Sequence, residues 1–147
     1  MYKKNNSAIF KVVLFFLSCQ LFLILNSGPA AGSDGKPDCD INRGPCKKNA
    51  GSTEILFDIL PKPVKAMQEL NFTITIKGGP ESDKLIVTLG MPDMYMGENK
   101  IIAGRSSKET YTGKGVIPRC LSGKNLWRAT VETPKGEKAD FLFNVIY

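Results

Sequence analysis

The sequence predicts an all-β protein: an immunoglobulin-like antiparallel β-sandwich of about seven strands, preceded by a signal peptide. Two observations predict this fold. Apolar and polar residues alternate with a period of two in short segments, and turn residues separate these segments at intervals of roughly ten residues. No segment after the signal peptide shows the apolar stripe of an amphipathic helix, so we expect the strands to pair with one another without intervening helices.

Residues 1–32 form the predicted signal peptide. Two lysines provide its charged start, the run from Val12 to Leu25 provides its apolar core, and small residues such as Ala30 then offer cleavage positions. The apolar run is shorter than the roughly 20 residues of a stable transmembrane helix, so an uncleaved anchor is the lesser alternative. Cys19 faintly resembles the cysteine of a lipoprotein signal, but an apolar run follows it, which favours an ordinary signal-peptide residue.

Residues 33–52 form a Gly-, Pro- and Cys-containing N-terminal arm with almost no large apolar side chain. Export places the protein where disulfides persist, and three cysteines follow the signal: Cys39, Cys46 and Cys120. An odd number allows either one disulfide with one leftover thiol or a thiolate metal site. A Cys39–Cys46 bridge would pin the arm, and a Cys46–Cys120 bridge would close most of the domain, and the sequence does not decide between them.

Residues 53–147 form the predicted sandwich domain. Its strand candidates span residues 54–59, 70–77, 85–89, 100–103, 110–117, 126–133 and 139–147. Within them the apolar residues fall on single faces, as Trp127, Ala129 and Val131 do. Ile86 lies opposite the apolar face of the third candidate, which predicts a strand that is covered on both sides.

The composition argues against an enzyme and against a nucleic-acid-binding protein. The chain contains no histidine, which removes the usual general base, the partner of serine or cysteine nucleophiles and a common metal ligand. The formal net charge is +6, but three of the 20 cations lie in the signal peptide and the others are scattered, so no basic patch is indicated. No motif points to a catalytic residue or to a small-molecule substrate.

The most informative positive feature is a methionine-rich segment, in which Met91, Met94 and Met96 lie within six residues. Thioethers are neutral, soft ligands that suit Cu(I), so these three residues form a candidate Cu(I) site. Pro92 and Gly97 favour a loop, which would bring the three sulfurs together. The alternative is that the methionines pack at one end of the sandwich or offer an adaptable apolar surface to a protein partner.

Three segments together resemble the YtkA-like domain family and are similar to the soluble part of FixH-type proteins. They are the methionine-rich segment Met91–Asn99, the strand Tyr111–Pro118 and the strand Leu126–Val131. The resemblance covers roughly residues 54–147. It implies an exported or membrane-tethered immunoglobulin-like domain associated with copper handling and respiratory oxidase assembly, with the three methionines as the implied residues. Asp93 stands where glycine is frequent in the family's motif, and the cysteines lie outside the shared pattern.

These observations predict an exported, non-enzymatic binding protein of the periplasm or cell envelope. In this hypothesis the three methionines hold Cu(I), and the partner is an envelope or membrane protein. The alternative is a structural or protein-interaction module of the envelope that binds no metal.

Overall fold

The computed structural model describes residues 35–147, so the predicted signal peptide and Cys19 lie outside the described residues. Within this range the chain forms eight strands and no α-helix, and no helix there is long and apolar enough to cross a membrane. The strands are β1 Cys46–Ala50, β2 Thr53–Leu60, β3 Glu69–Lys77, β4 Lys84–Met91, β5 Met94–Arg105, β6 Thr110–Val116, β7 Leu126–Glu132 and β8 Lys138–Asn144.

The eight strands form one sheet with the order β1-β2-β3-β6-β5-β4-β7-β8, and all neighbouring strands are antiparallel. The two ends of this order, β1 and β8, come close together, so the sheet is nearly closed. The prediction of an all-β antiparallel fold is confirmed, and the seven predicted strands correspond to β2 through β8.

An aromatic cluster fills the core between the two ends of the sheet. The rings of Phe57 on β2 and Phe141 on β8 stack with their centroids 5.0 Å apart. Phe57 also lies 6.3 Å from Phe72 on β3 and 6.2 Å from Phe143 on β8. Burying each ring contributes about 1.5–3 kcal/mol, so this cluster is a principal reason why the sheet curls until its ends meet.

In β2 through β8, strand formation follows the alternation of apolar and polar residues, because one face of the strand is more buried than the other. Trp127, Ala129 and Val131 on β7 are all buried, as predicted. The prediction that β4 is covered on both sides is wrong, since Ile86 is 42% exposed. Ile86 lies directly opposite Ile102 of β5 on the outer face, and this cross-strand apolar pair replaces the expected second covering layer.

The N-terminal arm covers the outer edge of β8. The amides of Asp38 and Cys39 both donate to the carbonyl oxygen of Leu142, at 2.9 and 3.0 Å, and the amide of Leu142 donates to the Asp38 carboxylate at 3.0 Å. A disulfide joins Cys39 to Cys46, the first residue of β1. The arm therefore connects the two ends of the sheet and protects an edge that would otherwise present unpaired backbone groups.

β1 is a strand that the sequence patterns did not predict, and it lies within the arm of residues 33–52. Its sequence CKKNA lacks an apolar alternation, because most of its side chains face solvent or the sheet edge. Its backbone pairs with β2 through a two-residue turn, Gly51–Ser52, and Gly51 has the positive φ that a type II′ turn requires. Backbone pairing, the disulfide and the ammonium group of Lys48, which donates to the Asp38 carboxylate and to the Asp140 carbonyl oxygen, hold this strand, and Ala50 is its one buried side chain.

β5 and β6 are paired through only two residue pairs, and close approach of their backbones depends on Gly113. A Cβ atom at Gly113 would lie 2.6 Å from the carbonyl oxygen of Ile102 and 3.1 Å from the Cα of Ala103. A Cβ atom at Gly104, on the neighbouring part of β5, would meet no atom within 4 Å. Steric contact therefore requires glycine at Gly113 but not at Gly104.

Gly113→Ala is expected to lower the free energy of unfolding by about 1–3 kcal/mol, because backbone atoms rather than a flexible side chain must move. Gly104→Ala is the matched control and is expected to change it by less than about 0.5 kcal/mol. Urea denaturation of both variants measures the difference. Equal stabilities of the two variants would contradict the close approach of β5 and β6.

Removing the disulfide by a Cys39→Ala/Cys46→Ala double substitution is expected to lower the free energy of unfolding by about 2–3 kcal/mol, the value for a short closed loop in the chain-entropy model. The cysteines are 7 residues apart. Urea denaturation of the oxidised protein and of the double variant measures the loss. A stability independent of the disulfide would show that the hydrogen bonds to Leu142 hold the arm by themselves.

Candidate functional site

The methionine-rich segment forms a β-hairpin rather than the predicted loop. β4 continues to Met91, β5 begins at Met94, and only Pro92 and Asp93 form the turn between them. Met91 and Met94 are direct cross-strand partners. Directly opposed residues of an antiparallel pair project from the same face, so two of the three predicted methionines lie side by side.

The turn explains why the pairing becomes irregular just beyond it. Among residues 35–147, the only non-glycine residue with a positive φ is Met67. Asp93 in the turn therefore has a negative φ. A hairpin turn without positive φ splays its strands, because its twist does not match theirs. After the pair Met91–Met94, four residues of β5, from Tyr95 to Glu98, lie opposite the single residue Gly90 before regular pairing resumes.

Met96 lies on the same side of β5 as Met94, because the two residues are two positions apart on the strand. Both side chains are half-buried and pack against the hydrophobic core, whereas Tyr95 between them is 86% exposed. Met91 is more deeply placed, at 4% exposure. The three predicted ligand residues therefore form one strip that runs from the core to the surface.

Cys120 lies beside Met94, and together with the three methionines it forms a sulfur cluster. The sequence patterns did not connect Cys120 with the methionines. Its Sγ lies 3.9 Å from the Sδ of Met94, and its side chain is buried, at 1% exposure. Because the disulfide joins Cys39 to Cys46, Cys120 is the free cysteine of the described residues. The alternative bridge between Cys46 and Cys120 does not form. The one hint in the sequence was the odd number of cysteines after the signal peptide, because it left one thiol outside a disulfide.

The residues after Cys120 turn back around its sulfur. The Oγ of Ser122 lies 3.0 Å from the Sγ, and the amide of Gly123 donates to the Cys120 carbonyl oxygen at 3.1 Å. The hydrogen bond with the Ser122 hydroxyl lowers the pKa of the Cys120 thiol below its ordinary value of 9.0. Burial of the thiol acts in the opposite direction and raises the pKa. The backbone amides of Ser122 and Lys124 and the positive charge of Lys124 lower it further.

Tyr147 fixes the position of this loop. Its hydroxyl accepts hydrogen bonds from the indole Nε1 of Trp127 at 3.1 Å and from the amide of Cys120 at 3.4 Å, and it donates to the carbonyl oxygen of Lys124. Trp127 is fully buried, so the loop that carries Cys120 is tied to the core through one phenol group.

A cavity of about 210 Å³ lies beside the hairpin. It is lined by Met91, Pro92 and Asp93 of the turn region and by the segment Lys124–Leu126, which leads into β7. The ammonium group of Lys124 lies 3.7 Å from the Asp93 carboxylate across this cavity. A larger cleft, of about 480 Å³, is lined by the N-terminal arm and Asn144 and contains none of these four sulfur-bearing residues.

The chemistry available at the cluster is that of sulfur. Among residues 35–147, no group of three His, Cys, Asp or Glu side chains converges as a metal site. The soft donors of this region are the three thioethers of the strip and the Cys120 thiol beside Met94, and sulfur ligands favour Cu(I) and similar soft ions over Mg²⁺ or Ca²⁺.

Comparison with protein-family models, with curated proteins and with solved structures gives no match for this chain. The resemblance to the YtkA-like domain family therefore stays a prediction from the sequence.

Ser122→Ala is expected to raise the pKa of the Cys120 thiol, because the variant lacks the hydroxyl that bonds the sulfur. The folded-state pKa lies below 9.0, so ionisation of Cys120 adds stability above that pH, and this contribution is lost as the pH falls through the folded-state pKa. Ser122→Ala should make this pH dependence weaker.

Ultraviolet absorbance of the thiolate, followed against pH in a Cys19→Ser background, measures the pKa of Cys120. Ser106→Ala, which removes an exposed hydroxyl bonded to the Thr110 carbonyl, is the control and should leave the pKa unchanged. An unchanged pKa in Ser122→Ala would mean that the hydroxyl does not support the thiolate.

Proposed function

We propose that this protein is an exported, non-enzymatic binding protein of the cell envelope that holds Cu(I) at Met91, Met94 and Met96. One observation carries the proposal: Met91 and Met94 lie directly opposite each other across a two-residue turn, with Met96 on the same half-buried side. The hairpin backbone thus sets two thioethers side by side before any ion binds, which lowers the ordering cost of binding.

The burial of the strip suits a site that both loads and releases an ion. Thioethers are uncharged, so burying them costs little desolvation when no metal is bound. Met91 is held in the core, whereas Met94 and Met96 are half-buried, which leaves an approach from solvent. A soft ion held mainly by neutral ligands exchanges readily, and this supports delivery to an envelope or membrane partner rather than storage.

The nearly closed sheet is proposed to be an immunoglobulin-like sandwich, and residues 1–32 are proposed to direct export to the periplasm or cell envelope. The Cys39–Cys46 disulfide supports export, because such bridges persist in oxidising compartments. The resemblance to the YtkA-like family supports the sandwich and the link to copper.

A second candidate function is that of a protein-interaction module without metal. Two large apolar side chains next to the sulfur cluster favour it: Tyr95 is 86% exposed, and Leu121, which follows Cys120, is fully exposed. Exposed aromatic and aliphatic side chains of this kind are frequent anchors of protein interfaces. In this case leucine replacements in the hairpin should leave partner association intact, and association that requires copper would count against it.

Replacing Met91, Met94 and Met96 together by leucine is expected to abolish Cu(I) binding while preserving the fold, since Leu and Met have similar volumes. An anaerobic competition titration against a chromogenic Cu(I) chelator measures the affinity, and near-ultraviolet circular dichroism of Trp127 checks the fold.

Met67→Leu is the matched control, because Met67 is exposed and outside the strip, and it should bind Cu(I) as the unaltered protein does. Unchanged Cu(I) affinity in the triple variant would refute the proposed function.

A further inference from the structure

We propose that Cys120 is a ligand of the same site and binds Cu(I) as a thiolate, so that the site is a mixed thiolate–thioether centre. This inference rests on the proposed function of the methionine hairpin. It adds a residue from a distant part of the chain, because Cys120 follows β6 whereas the methionines lie on β4 and β5.

The separation of the two sulfur atoms fits shared coordination. With a metal–sulfur bond of about 2.3 Å, the length of zinc–thiolate bonds, two sulfurs on one three-coordinate ion lie about 4.0 Å apart. The Sγ of Cys120 and the Sδ of Met94 are 3.9 Å apart. The separation therefore matches that of two sulfurs bound to one ion.

The thiol is positioned on rigid supports. Tyr147 bonds the Cys120 amide and the Lys124 carbonyl oxygen, and Trp127, fully buried, bonds Tyr147. Met94 is fixed from the other side by its pairing with Met91. The two ligands thus come from elements that are held independently, as a preorganised site requires.

The charge balance favours this ligand set. On binding, the Cys120 S–H bond breaks, its proton leaves to solvent, and the electron pair of the sulfur forms the bond to Cu(I), which is neither oxidised nor reduced. The resulting Cu(I)–thiolate unit is neutral, so its burial avoids the cost of an isolated buried charge. The thioethers of the hairpin complete the coordination without adding charge.

Because Cys120 and Met94 lie on different elements, a bound ion cross-links the hairpin to the loop before β7. A ligand that binds only the folded state stabilises that state by mass action. Cu(I) should therefore raise the melting temperature of the protein, and this rise should depend on both the thiol and the thioethers.

The test uses the full chain with Cys19→Ser, so that thiol signals report on Cys120, and compares it with Cys120→Ser, Cys120→Ala and the triple Met→Leu variant in the same background. Each protein is titrated anaerobically with Cu(I). Three quantities are followed: affinity by chelator competition, the ultraviolet charge-transfer band of a Cu(I) thiolate, and the melting temperature.

The expected result is a charge-transfer band that saturates at one Cu(I) per chain in the parent protein. Both Cys120 variants should lack the band, bind Cu(I) about 100-fold more weakly and lose the rise in melting temperature. The band of the parent protein requires no variant, so it decides the matter even if one substitution impairs folding.

Two other results overturn the inference and are distinguishable from each other. If the parent protein shows no band and the Cys120 variants keep its affinity, Cys120 is not a ligand, while loss of binding in the triple variant still upholds the proposed function. If the triple variant keeps both affinity and band, copper binds at the thiol alone, and both the mixed centre and the methionine site are refuted.

Discussion

The packing of Phe57 against Phe141 is the interaction on which the rest of the structure depends. It joins β2 to β8 within the core although these strands lie near opposite ends of the strand order. The arm and its disulfide then secure the closure from outside, through hydrogen bonds to Leu142 and the bridge to β1. A nearly closed sheet of this kind brings together chain segments that are far apart in sequence.

The sulfur cluster is a consequence of that closure. β8 ends close to Tyr147, whose hydroxyl joins the buried Trp127 of β7 to the loop that carries Cys120. β4 lies next to β7 in the sheet and ends at Met91, so the hairpin and this loop meet. The thiol beside Met94 is thus positioned by the same hydrophobic core that stabilises the domain. The hydrogen bonds of the Tyr147 hydroxyl therefore link the candidate site to the hydrophobic core.

The sequence predicted what depends on local alternation and missed what depends on pairing. Trp127 and Phe141 reveal their strands by period-two patterns, because burial of one face leaves a mark on the residues themselves. β1 leaves no such mark, since only one of its five side chains, that of Ala50, is buried. The three methionines were evident from their spacing, but their hairpin geometry depends on the register of β4 with β5. The contact between Cys120 and Met94 is tertiary, and no spacing in the sequence encodes it.

The central claim, that the methionine hairpin binds Cu(I), is tested most directly by nuclear magnetic resonance of protein labelled with ¹³C at the methionine methyl groups. Each methyl reports on its own sulfur during an anaerobic Cu(I) titration. The resonances of Met91, Met94 and Met96 are expected to shift together and to saturate at one equivalent, while that of Met67 stays in place. Unshifted resonances of the three hairpin methionines in the presence of excess Cu(I) would contradict it.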